Sequence, residues 1–280
     1  MIDAYRTRGY LERIGIGPAD ELPATLATLT QLHRRHVEIV PFENFSIHLG
    51  EPIVLDTNRL VDKVTVQRRG GFCYELNGAF AGLLRALGFS VELLEARVCG
   101  ADGEVGIRFD HLCLCVTLDK AYLVDVGFGA GFLEPLALDA AGAQVDPAGS
   151  FEVVARVDGW FDLVQDGTAQ YRFSRETRAL LDFVEGCRHH QTSPLSPFTK
   201  NTICSLPTAS GRVTLRGRTR IVTSNGERVE DELSADQFRR ELDDVFGIVL
   251  DADPGNLRDP TTSVRPAEAQ AEAKPAKPPQ

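Results

Sequence analysis

The stretch RRGGFCYELN places one thiol, Cys73, directly after two arginines, a glycine pair and a phenylalanine. A cysteine in that setting has two readings. If a helix starts at Cys73, the unpaired backbone N–H groups of its first turn and the helix dipole favour the thiolate and lower the thiol pKa. Gly70 and Gly71 would then let the backbone turn tightly and come close to a bound acyl group. The other reading is a small buried hydrophobe, a common fate of free cysteine. A nucleophilic thiol needs a histidine to accept its proton and a third group to orient the ring. The choice therefore turns on the six histidines.

His33 and His36 lie on a helical segment and read as part of its polar face. His48 falls in a loop, and His189-His190 follow a helix and read as solvent-facing. His111 has a different context. It opens the strand HLCLCVTL, and the following strand AYLVDVGF returns Asp125 alongside it, so the two can be cross-strand partners. Direct opposition requires a hairpin centred on Leu118. The turn signal at Asp119-Lys120 centres it later, which would rotate Asp125 onto the other face unless a bulge or wider loop absorbs the shift.

His111, Cys113 and Cys115 also share a face at period two, a candidate metal row. Zinc ligands come more often from turns with C-x₂-C spacing, and a flat row does not readily close a tetrahedron. No metal is therefore expected, and the alternate thiols read as core-facing. The glycine-rich run Gly127-Phe128-Gly129-Ala130-Gly131 lacks Walker spacing and the downstream Lys-Ser/Thr. It reads as a flexible wall near Asp125.

The elements that must position these residues follow from periodicity. Leu26, Leu29, Leu32 and Val37 recur at helical spacing after Pro23, and Leu60, Val61 and Val64 follow a capping Asp56. Between them VPFENFSIH (40–48) reads as a loop, because Pro41 disfavours a continuing helix. A helix from Cys73 buries Leu76, Phe80, Leu83, Leu84 and Leu87, with Gly88 as its stop. From Phe89 the period becomes two. FSVELLEARV, HLCLCVTL, AYLVDVGF, FEVVARV, WFDLV and YRF, with turns at Asp158-Gly159 and Asp166-Gly167, predict an antiparallel meander or small barrel.

A helical interval over 177–185 follows, then the break TSPLSPF, the strands GRVTLRG and TRIVTS, and a helix opening at Ser234 with Gln237 completing a capping box. Beyond Asp251 the Pro/Ala/Glu/Lys tail is low in complexity, and disorder is expected.

With 280 residues, 43% of them hydrophobic, the chain can build two or three structural units. Its formal charge of -10 argues against a nucleic-acid partner, but leaves room for a small anionic ligand in a local basic pocket. The N-terminus MIDAYRTRGYLERIG lacks the apolar core of a signal peptide, and no apolar run is long enough to span a bilayer. No membrane association is expected, and the default setting is a reducing cytoplasm in which the six cysteines stay free.

RRGGFCYELN, HLCLCVTL and LVDVGFG, together with VPFENFSIH after a histidine-bearing helix and LLDFVEGCRHHQTSPLSPF, resemble the arylamine N-acetyltransferases over roughly Ala4 to Val249. The resemblance implies an α+β fold with a cysteine-protease-like catalytic core. A helical N-terminal domain (1–88) would carry the nucleophilic cysteine and an antiparallel β-barrel (89–186) the histidine and aspartate. An α/β lid (187–251) and the tail (252–280) would follow.

It further implies a catalytic triad of Cys73, His111 and Asp125, and ping-pong transfer of an acetyl group through an acetyl-cysteine. Acetyl-CoA would be the co-substrate, with no permanently bound cofactor. Arylamines, arylhydrazines or N-hydroxyarylamines would be the acceptors, stacked against Phe42, Phe128 and Phe198; a core-filling role is the alternative for each ring. Arg68 and Arg69 could attract CoA phosphates or simply face solvent. The link between His111 and Asp125 is shorter than many family members make it. A Cys-His-Asp peptidase, a transglutaminase-like enzyme and a non-catalytic binding protein of the same fold are the rival readings. The sequence names neither the physiological acceptor nor the oligomeric state.

Overall fold

The structure, a computed structural model, describes residues 1–100 and 103–251; the tail, and with it the expectation of disorder, lies outside the described residues. The chain opens with helices α1 (Ala4–Arg13) and α2 (Leu26–Ile39), a two-residue strand β1 (Phe42–Glu43), and helices α3 (Phe45–Leu49), α4 (Thr57–Thr65) and α5 (Cys73–Ala86). Asp3, Thr25 and Asp56 cap α1, α2 and α4 by accepting a first-turn backbone N–H. Helix α5 is buried on every side from Cys73 to Leu84. A helix without a polar face belongs at the centre of a core, and the other helices pack around it.

Eight strands follow: β2 (Ser90–Val98), β3 (His111–Thr117), β4 (Ala121–Val124), β5 (Leu136–Ala137), β6 (Gln144–Asp146), β7 (Gly149–Ala155), β8 (Trp160–Gln165) and β9 (Thr168–Arg178). They pair antiparallel in the order β5-β4-β3-β2-β9-β8-β7-β6 and curl into a nearly closed barrel. Strand β3 divides two cores by its alternation. Leu112, Leu114 and Val116 join the core around α5, whereas Cys113 and Cys115 enter the barrel interior beside Leu94, Phe151 and Tyr171. The thiols at period two therefore do face a core.

The chain continues with α6 (Val184–Thr192) and α7 (Pro197–Lys200), then strands β10 (Ile203–Thr208), β11 (Gly211–Arg216), β12 (Thr219–Ser224) and β13 (Glu227–Glu232), and helix α8 (Ala235–Asp244). The capping box at Ser234 and Gln237 forms as expected. Helices first, an antiparallel barrel next and mixed structure last is the α+β order that the sequence predicted. No helix among the described residues is long and apolar enough to cross a membrane.

Three local expectations change. The stretch 40–48 is not a loop: Phe42 and Glu43 pair with Ser205 and Cys204 of β10, so β1 edges the five-stranded sheet β1-β10-β11-β12-β13, and FSIH with His48 belongs to α3. The interval 177–185 is not one helix, because Thr177 and Arg178 still pair with Leu94 and Leu93 of β2. A 3-10 turn over Leu180–Phe183 leads into the α-helix, which begins at Val184 and carries His189 and His190 itself. Strand β13 has no buried face to betray it; all six of its residues are exposed.

Candidate active site

The start of α5 is held by packing too close for side chains. A Cβ on Gly70 would lie 1.9 Å from the Pro41 carbonyl oxygen, so only glycine lets this strand run beside PFEN. The Glu43 N–H donates to the Gly71 carbonyl at 2.9 Å and ties the two segments together. The glycine pair thus serves the approach of two backbones rather than a tight turn.

Behind it lies a buried ionic cluster. Arg69 donates to both carboxylate oxygens of Glu43, at 3.0 and 3.1 Å, and Lys63 donates to Glu75 at 2.6 Å. Glu75 in turn accepts the Phe72 N–H at the helix start. Arg69 is therefore committed to Glu43 inside the protein and is not a solvent-facing charge, whereas Arg68 is exposed. Spacing alone could not reveal this cluster, which joins residues from three separate segments.

Cys73, the first residue of α5, is 4% exposed. Burial pushes its thiol well above the ordinary cysteine range. The backbone hydrogen bond from Leu112 opposes that shift, and the charges of Asp125 and Asp110 reinforce it. That direction is opposite to the lowering expected from the helix start, desolvation of so enclosed a thiol being its largest cause. Leu112 is the residue after His111, so the thiol meets β3 at the strand's first turn of chain.

His111 and Asp125 form a buried pair, with His111 Nε2 donating to Asp125 Oδ2 at 2.7 Å. The register explains how. Thr117 pairs with Ala121 and Leu114 with Val124, leaving a three-residue loop, 118–120, centred on Asp119. The centre is one whole residue later than direct opposition requires. Asp125 is displaced by two positions, an even number, and keeps its face. The wider loop absorbs the shift, and the side chains meet on the diagonal.

Asp125 is held from four sides. Asn77 Nδ2 donates to its Oδ1 at 2.8 Å, the Gly127 N–H donates to the same oxygen at 2.9 Å, and the Asp125 N–H donates to His33 Nε2 at 3.2 Å. Burial alone would raise the carboxyl pKa, but His111, Asn77 and the Gly127 N–H together hold it below its ordinary value. Gly127 fits only without a side chain, since a Cβ there would lie 2.7 Å from Cys73 Cα. DVGFG is thereby laid directly on the start of α5.

Asn77 and His33 are the residues that sequence reasoning missed. Asn77 stands one helical turn after Cys73, at i+4, which puts both on one face of α5. Besides Asp125 it donates to the Leu112 carbonyl at 2.7 Å and accepts the Val126 N–H at 2.9 Å. That spacing was the available signal. His33 and His36, expected on a polar face, are both fully buried. His33 Nδ1 donates to the Leu133 carbonyl at 2.8 Å, and its ring stacks on Phe132; burial draws its pKa down, which suits a neutral ring accepting at Nε2.

Of the three phenylalanines, Phe128 sits closest to the pair, with its ring 5.3 Å from that of His111 and 5.1 Å from Tyr171. Phe42 and Phe198 are 6.1 Å apart, and Phe198 also packs on Phe72 at 5.6 Å. All three are half-buried. Phe42 and Phe128 line a narrow cavity of about 20 Å³ that reaches Asp125; Phe198 does not line it. Among the described residues no cluster of three or more His, Cys, Asp or Glu side chains is arranged to hold a metal.

The start of a buried helix carrying a thiol, laid against a strand that opens on a His–Asp pair, defines a site for thiol-dependent acyl transfer. The N-acetyltransferase family profile matches residues 25–254. The arylamine N-acetyltransferase pineal gland isozyme NAT-10 of Gallus gallus is 33% identical over 256 residues, covering 81% of this chain and 88% of that one. Among solved structures, the arylamine N-acetyltransferase of Mycobacterium smegmatis superposes with a TM-score of 0.80 at 32% identity, over 89% of this chain and 93% of that one. The Mycobacterium marinum arylamine N-acetyltransferase, solved in complex with CoA, gives 0.79 at 31% identity, over 86% and 92%. The chain belongs to the arylamine N-acetyltransferase family, acetyl-CoA-dependent acyltransferases.

Proposed function

We propose that Cys73, His111 and Asp125 act as nucleophile, base and orienting acid in transfer of an acetyl group from acetyl-CoA to small aromatic amines or hydrazines. The observation that carries this reading is the buried His111–Asp125 pair at 2.7 Å, with the next residue, Leu112, hydrogen-bonded to the Cys73 thiol. With Nε2–H given to Asp125, His111 keeps its Nδ1 lone pair for the thiol proton. His111 takes the proton from Cys73, and the sulfur, paired with the imidazolium, attacks the thioester carbonyl.

The C–S bond to CoA then breaks, and the CoA thiolate takes the proton from the imidazolium. That leaves an acetyl-thioester on Cys73. An amine attacks this thioester, His111 removes the amine proton and returns one to the Cys73 sulfur, and the N-acetyl product departs. Asp125 keeps the imidazole oriented and stabilises its cationic form. Phe42 and Phe128 supply flat walls for an aromatic acceptor, and Phe198 completes that wall beyond Phe42. In this scheme residues 1–88, 89–186 and 187–251 act as helical, barrel and lid units, joined across their boundaries by a core in which Leu76 and Phe80 of α5 meet Leu112 and Leu114 of β3. Six free cysteines suit a reducing compartment such as the cytoplasm. Family membership favours acyl transfer to an amine over peptide cleavage, protein cross-linking or a purely binding role.

Acetyl-CoA without acceptor should add one acetyl group to Cys73, located by peptide mass mapping, and an arylamine should remove it. Cys73→Ala should lose turnover by at least on the order of 10³-fold while keeping its circular dichroism spectrum. A Cys73 that reacts with iodoacetamide yet never acquires the acetyl group would overturn the mechanism.

A further inference from the structure

Strands β10 and β11 alternate across their sheet. Cys204, Leu206, Val213 and Leu215 enter the core beneath α8. Ser205, Pro207 and Arg212 turn the other way and line the cavity that holds Phe42, Phe128 and Asp125. Arg212 also borders a larger outer groove, of about 750 Å³, between the barrel loop at Ala148 and the tip of the C-terminal sheet at Ser210. It therefore stands where the outer groove meets the inner cavity.

Its guanidinium is largely uncompensated. Nη1 donates to Ser205 Oγ at 3.0 Å, and no carboxylate among the described residues forms an ion pair with it. The carboxylates bordering the two spaces are engaged elsewhere: Asp125 with His111, and Glu38 with Arg34 and Arg35. Burial alone lowers the Arg212 pKa to about 10, so the group is still cationic at neutral pH. A half-buried cation without a counter-charge is costly unless an anion arrives to share its desolvation. In a chain of net charge -10, an anionic substrate also needs such a local cation to approach. Arg69, whose sequence position had suggested that role, is already paired with Glu43.

We propose that Arg212 is an anion-binding residue of the acyl-transfer site, receiving an oxyanion group of a substrate that passes from the outer groove into the Phe42–Phe128 cavity. The planar guanidinium fork matches a phosphate or a carboxylate in the same way. Two substrates can bring that chemistry: the acyl donor through its phosphates, or an aromatic acceptor through a ring carboxylate. The inference rests on the reading that acyl transfer occurs at Cys73, and its test measures binding so that the two stand or fall separately.

CoA, 4-aminobenzoate and aniline are titrated calorimetrically into the wild type, Arg212→Gln, Arg212→Lys and Arg228→Gln, the last removing an equal charge from the exposed strand β13. Arg212→Gln should weaken an anionic ligand roughly tenfold or more relative to aniline, with Arg212→Lys recovering part of the loss. Arg228→Gln should leave the CoA and 4-aminobenzoate affinities in place. Loss for CoA assigns the site to the donor phosphates, and loss for 4-aminobenzoate alone assigns it to an acceptor carboxylate. Affinities for both anions within about twofold of wild type, or an equal loss for aniline, would overturn the proposal. Acetylation of Cys73, followed by mass in the same samples, reports on the mechanism independently.

Discussion

Two histidine–aspartate pairs stand side by side in this protein, one buried and one part-buried, and adjacent residues of the chain, Asp110 and His111, supply one member of each. The distances are nearly the same: 2.7 Å for His111–Asp125 and 2.9 Å for His190–Asp110. The rest of each ring differs. His190 Nδ1 shares a hydrogen bond with Ser196 Oγ at 3.0 Å, and Asp110 Oδ2 accepts the Val98 N–H. Both nitrogens of that ring are used up, and the pair pins α6 to the strand end that carries His111. In the other pair Nδ1 has no hydrogen-bond partner among the described residues, and the neighbouring backbone reaches a thiol. A His–Asp pair becomes a proton-transfer device when one nitrogen is left for a third group; with none left it is a clamp.

The sharpest way to break this comparison is to neutralise each aspartate in turn. Asp125→Asn should lower kcat by on the order of 10³-fold, because the amide favours the wrong imidazole tautomer. Asp110→Asn should change kcat only a few-fold and instead cost about 1–3 kcal/mol of stability, read from urea unfolding. Equal kinetic losses would mean that the clamp also takes part in the chemistry.

A smaller effect is expected at Asn77, which holds Asp125 in place. Asn77→Ala removes a donor to Asp125 and to Leu112 and leaves the Val126 N–H without its acceptor. It should slow Cys73 acetylation about 10- to 100-fold, measured by single-turnover mass spectrometry, with unfolding easier by about 1–3 kcal/mol. The smallest effect concerns acid. Asp125 has its pKa depressed in the folded protein. Its stabilising contribution is thus complete above the ordinary carboxylate range and is lost as the pH falls through the folded-state value. Thermal melts of Asp125→Asn should decline less steeply than wild type below about pH 4.

The contrast also explains what could be read from the chain alone. Cys73 at a helix start, the stripe from Leu76 to Leu84 and the strands around His111 and Asp125 are local patterns, and local patterns survive in sequence. The family resemblance rested on the same short stretches. The hairpin shift was visible as a conflict but not as its solution, since one residue in loop length decides whether Asp125 keeps its face. His190, Asn77 and the Glu43–Arg69 and Lys63–Glu75 pairs were not legible for a different reason. Each takes its meaning from partners far away in the chain, and a polar side chain in a helix carries no mark of whether water or another element covers it. PFEN misled for the same cause, because a two-residue strand is defined by its neighbour.

That strand has a consequence for how the protein is made. Phe42 contacts Gly71 on one side and pairs with Ser205 on the other, so the wall beside Cys73 is sewn to a segment synthesised some 160 residues later. While the ribosome is still translating the barrel, the helices can gather around α5, yet β1 has no sheet to join. The wall beside Cys73 therefore depends on strand β10, and a chain ending before Ile203 lacks the partner that β1 pairs with.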